Sequence, residues 1–168
     1  MYATTWGNGN EDEASDQIHS KYYLETLRAF VEAVLAYTGA AKVDIISHSM
    51  GVTLGRRVIK GGNVRTQQGT FNLGSALTSR VDTFIGLCGA NWGLAACSMD
   101  FIDDTCNKAD GFYPGYAIGP LGLSTYLDDL NNDKTKEGSY AYAMLSTWDD
   151  LILFGDIVYG RYTSEFPT

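Results

Sequence analysis

Residues 43–51 read Val43-Asp44-Ile45-Ile46-Ser47-His48-Ser49-Met50-Gly51. Val43, Ile45 and Ile46 are apolar and β-branched, and Gly39 stands shortly before them. A run this short reads as a buried parallel strand. A helix-forming segment starts at about Met50. The turn between the two has the form of a nucleophile elbow, with Ser47 where the motif carries its first Gly. Such a turn is so tight that Ser49 projects alone from the carboxyl edge of the sheet. The helix start directs free N–H groups and the positive end of its dipole at the same spot. A serine nucleophile needs both exposure and nearby donors. The plainer reading of Ser49 is an ordinary helix N-cap.

Upstream, Tyr2–Trp6 reads as a short strand broken by Gly7-Asn8-Gly9-Asn10. Ser15 or Asp16 then caps a helix that runs to about Thr38. Ile18, Tyr22, Leu27, Phe30, Val31, Val34 and Leu35 form its apolar stripe, with Gly39 just past its end. Downstream, the helix from Met50 stops at Gly61-Gly62, with Arg56, Arg57 and Lys60 in its last turns. Residues 61–79 read as a loop. Val81–Leu87 is the next buried strand, followed by Cys88-Gly89-Ala90-Asn91-Trp92-Gly93. Residues 95–120 read as a loop. A helix is expected over Leu121–Leu130, and a last clear strand over Tyr140–Thr147 ahead of Trp148-Asp149-Asp150. The apolar stretch Leu151–Tyr159 has no clear period. Strands alternating with helices predict a single α/β domain with a mostly parallel sheet. In such sheets sites lie beyond the carboxyl ends of the strands, which puts Ser49, Asn91 and Asp149 on one edge.

The chain has 168 residues, 45% of them hydrophobic, which is ample for a core. Its net charge of -8 disfavours nucleic acid and anionic membrane surfaces as partners. No apolar run approaches the length of a membrane-spanning helix, and Met1–Thr5 lacks the pattern of a signal peptide. Cys97 and Cys106 bracket a polar loop and are read as a disulfide, which implies an oxidising compartment; three free thiols are the alternative. Cys88 is read as a small buried hydrophobe.

Three segments come in order: Val43–Gly51, Leu87-Cys88-Gly89-Ala90-Asn91-Trp92-Gly93, and Leu145-Ser146-Thr147-Trp148-Asp149-Asp150. Together they resemble the class 2 lipases, a family that includes small bacterial lipases of the lipase A type and secreted lipase-related proteins of nematodes. The resemblance spans nearly the whole chain, and the Cys97/Cys106 loop is closest to the nematode branch. It implies an α/β-hydrolase core and a secreted serine hydrolase of carboxylic esters, active in lipid catabolism through an acyl-enzyme. Lipid or another ester is the implied partner, and no metal or organic cofactor is required. Ser49 would be the nucleophile and the Met50 backbone N–H an oxyanion donor. Asp149 would be the triad acid, with Asp150 as the fallback. The family's histidine follows its aspartate and its second oxyanion donor comes from an early His-Gly loop. Neither has a counterpart here, so the resemblance implies a fragment truncated at both ends and inactive alone. The alternative is a catalytically dead or lipid-binding pseudoenzyme.

Each remaining candidate has a plainer reading. His48 diverges from Ser49 on a tight turn and is read as a packed or hydrogen-bonded histidine, and His19 as a solvated one. Asp103, Asp104, Asn107 and Asp110 hint at a calcium loop but miss its spacing, so a solvated acidic loop is the expectation. Asn91 and Trp92 are expected to fix the loop beside the site. A phosphate-binding βα turn is disfavoured, since there is no Gly-rich loop and no Lys at the helix start.

Overall fold

The computed structural model describes residues 1–98, 104–116 and 122–167. Strand β1 (Val43–His48) leads through Ser49 into helix α2 (Met50–Lys60), which comes after helix α1 (Lys21–Thr38). Strand β4 (Val81–Leu87) pairs in parallel with β1 on one side and with β5 (Tyr140–Met144) on the other. The order β1-β4-β5 and the flanking helices give a small parallel α/β sheet, as the alternation of strands and helices predicts, and agree with the incomplete α/β-hydrolase core that the resemblance implies. The β1–β4 register slips between Val43 and Ile45, and there the Asp44 carboxylate accepts the Thr83 N–H (3.1 Å). His48, Leu87 and Met144 form the last row of the sheet, so Ser49, Cys88 and Leu145 leave it at the same carboxyl edge.

Helix α2 is the centre of the molecule. Apart from Gly55 all of its residues are buried. Val52 and Ile59 pack on Val81 and Phe84 of the sheet, while Leu54 and Val58 face Leu24 of α1 and Tyr126, Leu127 and Leu130 of helix α3 (Thr125–Asn132). At Gly55 an added Cβ would lie 2.8 Å from Ser47 Oγ and 3.2 Å from Phe84. The helix thus meets the sheet almost backbone to side chain. Arg56, Arg57 and Lys60 are buried instead of lying at an open helix end. Arg56 Nε and Lys60 Nζ both pair with Glu137 (2.9 and 3.2 Å), and Lys60 also donates to the Asp133 and Thr135 carbonyls. Buried cations persist only when paired in this way.

Several expectations are corrected. Tyr2–Trp6 forms no ladder; Trp6 instead packs edge-on against Tyr23 (5.5 Å) and lies 3.3 Å from where a Gly51 Cβ would be. Neither Ser15 nor Asp16 caps α1. A separate 3-10 turn spans Glu11–Asp16, and Ser20 caps α1 by accepting the Tyr23 N–H. Gly39 ends α1 in the left-handed region (φ 65°), its N–H bonded to Leu35 O. Residues 61–79 are not all loop: β2 (Asn63–Thr66) and β3 (Gly69–Asn72) form an antiparallel hairpin. Its polar sequence hid it, because only Val64 faces the core fully. Helix α3 starts at Thr125, capped by Ser124; Leu121 lies outside the described residues. The last parallel strand ends at Met144. Leu151–Tyr159 contains a 3-10 turn (Phe154–Asp156) and β6 (Ile157–Val158), which pairs with β7 (Arg161–Tyr162).

Cys97 and Cys106 form a disulfide, as read from the sequence. Asp104 beside it is exposed, as expected of a solvated acidic loop, and Asn107 is half-buried, but Asp110 departs from that reading. Asp110 is fully buried, its carboxylate accepting the backbone N–H and side-chain amide of Gln67 (3.0 and 3.2 Å). Asp103 lies outside the described residues, and among those described no three His, Cys, Asp or Glu are grouped to hold a metal. No described helix is long and apolar enough to cross a membrane.

Candidate active site

Ser49 sits at the turn from β1 to α2 with φ 54° and ψ -132°. A non-glycine residue in the left-handed region is strained, and such strain collects at sites whose geometry it serves. The surroundings hold it there. Ser49 N–H donates to Leu87 O (3.0 Å), tying the turn to the end of β4, and Ser49 O accepts the Val52 N–H (2.9 Å). Its hydroxyl makes no capping bond to α2, so the N-cap reading of the side chain fails. The first amides of the helix, that of Met50 among them, have no intrahelical carbonyl to bond. The turn also needs glycine nearby: a Cβ on Gly89 would lie 2.6 Å from Val52 Cγ1.

Asp149 lies beyond β5 on the same edge. Its Oδ1 accepts the Leu151 and Ile152 N–H groups (2.9 and 2.7 Å), so the carboxylate organises its own turn. Burial opposes its ionisation most strongly, while those two amides favour it. With the Cys88 thiol and the nearby His48 they hold the carboxyl below the usual range. Asp150 is exposed. Cys88 is not an interior strand residue. It lies just beyond β4, half-buried and with φ 50°, its N–H donating to Met144 O (2.8 Å). Burial first, and then the Asp149 carboxylate beside it, push its thiol up. Cys88 thus stands at the end of the central strand β4, between the ends of β1 and β5, a placement the sequence signalled only by its position after the strand.

The Gly89–Gly93 turn is clamped from two sides. Asn91 N–H and Nδ2 donate to the carbonyls of Thr163 and Ser164 (2.8 and 2.9 Å). Its Oδ1 accepts from Arg56 (2.9 Å), and its carbonyl accepts from Asn131 Nδ2 (2.8 Å). Trp92 N–H donates to Thr163 Oγ1 and its indole to Glu165 O. Asn91 and Trp92 therefore fix the loop, as expected from sequence. The tail they grip is a further part of the site's frame. Asp156 (φ 66°) accepts from Ser164 Oγ (2.7 Å), and burial pushes its carboxyl up despite the Ser164 bonds. An acid inside an apolar stretch was the available signal.

The two histidines are not where the sequence put them. His48 is exposed at the end of β1 rather than packed. His19 is fully buried rather than solvated. It stacks on Tyr126 (4.0 Å) and meets Phe112 edge-on (4.7 Å), and both ring nitrogens are engaged, by Asp110 O (2.6 Å) and Thr53 Oγ1 (2.7 Å).

The elbow, the Gly-Ala-Asn turn and the Asp149 turn thus converge on one sheet edge. No curated protein matches the chain. The family model described as Lipase (class 2) matches residues 1–168, and the chain belongs to that lipase family.

Proposed function

We propose that the lipase activity of this chain's family runs here through a serine mechanism on carboxylic esters, with Ser49 as nucleophile. The observation that carries it is the strained, uncapped Ser49 at the start of α2, on the same edge as an ionised Asp149. Ser49 Oγ attacks the ester carbonyl, and the Met50 N–H stabilises the oxyanion. The alcohol leaves, and water hydrolyses the acyl-enzyme. Asp149 orients the imidazole that takes the Ser49 proton. Both nitrogens of His19 are engaged in the interior, and His48 leaves the turn from the residue before Ser49. We assign the base to a histidine outside these 168 residues, so that the chain alone is inactive. A secreted enzyme of lipid catabolism, acting on lipid or related esters, fits the disulfide and the acidic surface.

The test is hydrolysis of a short-chain p-nitrophenyl ester by the full-length protein. Asp149→Asn is expected to lower kcat by about 10³- to 10⁴-fold, and Asp150→Asn to leave it near wild type. Loss confined to Asp150→Asn moves the acid to Asp150. Full activity in both variants overturns the triad.

A further inference from the structure

Behind the elbow runs a chain of short hydrogen bonds with one proton too few. Asp110 O accepts the His19 backbone N–H (3.0 Å) and lies 2.6 Å from His19 Nδ1. His19 Nε2 lies 2.7 Å from Thr53 Oγ1, which is 2.9 Å from Met50 O. A carbonyl only accepts, so Nδ1 carries the proton on the Asp110 side. A neutral imidazole then has a bare Nε2, and the Thr53 hydroxyl donates to it. That hydroxyl has one proton and two acceptors, Nε2 and Met50 O. With that proton on Nε2, Met50 O receives none, and the relay ends on Thr53 itself, four residues after Ser49 in the first turn of α2. Its head rests on a segment held in place by the Cys97–Cys106 bridge, by Asn107 Oδ1 accepting from Ala109 and Asp110, and by the Gln67 bonds to Asp110. Tyr126 closes it from above, stacked on the ring and donating its hydroxyl to Thr53 O (3.1 Å).

We propose that His19 and Thr53 are positioning residues for the elbow: Nδ1–H anchors the imidazole on Asp110 O, and Nε2 holds the Thr53 hydroxyl against the first turn of α2. This rests on reading Ser49 as the nucleophile. The clamp fixes where the Met50 amide points relative to Ser49. Displacing such a donor slightly costs rate without unfolding the protein. The charged and titratable groups facing the ring are Asp110 from the loop, Arg57 from α2 and Tyr126 from α3.

The experiment compares Thr53→Val, which keeps the shape and loses the hydroxyl, with Thr53→Ser, which keeps the hydroxyl. The rate of fluorophosphonate labelling is measured on full-length protein at a temperature where circular dichroism shows each variant folded. Thr53→Val is expected to label about tenfold more slowly, and Thr53→Ser to recover to within about threefold of wild type. The imidazole ¹⁵N spectrum of wild type is expected to show Nδ1 protonated and Nε2 a hydrogen-bonded acceptor. Where Thr53→Val does not fold, that spectrum decides. A folded Thr53→Val that labels at the wild-type rate overturns the clamp, as does a spectrum with Nε2 protonated and Nδ1 bare. Undiminished labelling in Ser49→Ala overturns the nucleophile reading and the clamp with it.

Discussion

At the scale of single residues, the sharpest consequence of burial is at His19. Desolvation pulls its pKa to about 4, against the pull of the Asp110 carbonyl and charge, with Arg57 adding to the fall. The unfolded chain holds the same group at its ordinary value of 6.5. Between these two values the unfolded state binds the extra proton. His19 therefore contributes its full share of stability above pH 6.5 and loses it as the pH falls to about 4, a total of about 3 kcal/mol. Urea unfolding measured from pH 7 down to pH 4 should show a steeper loss in wild type than in His19→Gln. Equal pH slopes would contradict the assignment. None of this was legible in the sequence, where an isolated histidine beside Ser20 has no visible partner. Its environment comes from residues 34 and 91 positions away. Cys88 is similar, since its neighbour Asp149 is far along the chain.

Among the elements, β1 and α2 were plain from the pattern of Val43–Gly51, because a parallel strand turning sharply into a helix is decided locally; the expected burial of β1 was not met, since it is an edge strand here and Ile46 is exposed. The hairpin β2–β3 was not, because its residues are polar and only its pairing defines it. Tyr2–Trp6 failed for the opposite reason: strand-like composition makes no strand without a paired neighbour. The join between α2 and β4 makes a quantitative prediction. Gly89→Ala would place a methyl 2.6 Å from Val52 Cγ1. Overpacking of this kind costs about 1–3 kcal/mol. Urea unfolding should show that loss, and adding Val52→Ala should make the double variant less destabilised than the sum of the two single changes. Additive costs would show that Gly89 and Val52 do not oppose each other.

For the molecule as a whole, the three-stranded parallel sheet and its occupied carboxyl edge were legible in the order of strands and helices. The frame around that edge was not, since the tail of residues 156–165 is held by side-chain bonds to Asn91, Trp92 and Gly93 that no periodicity reveals. The Cys97–Cys106 bridge ties a loop with a sequence separation of 9 beside the segment that supports His19. Its reduction is expected to remove about 2.5 kcal/mol and to lower Tm by about 5–10 °C in a thermal melt; an unchanged Tm would show that the bridge is idle. The functional reading stands or falls on Ser49 as the nucleophile of a class 2 lipase. Mass-spectrometric mapping of the adduct, after full-length protein reacts with a fluorophosphonate, decides it. The phosphonyl group is expected on Ser49 in wild type, with no adduct in Ser49→Ala. An adduct on another residue, or equal labelling of wild type and Ser49→Ala, would remove Ser49 from the mechanism.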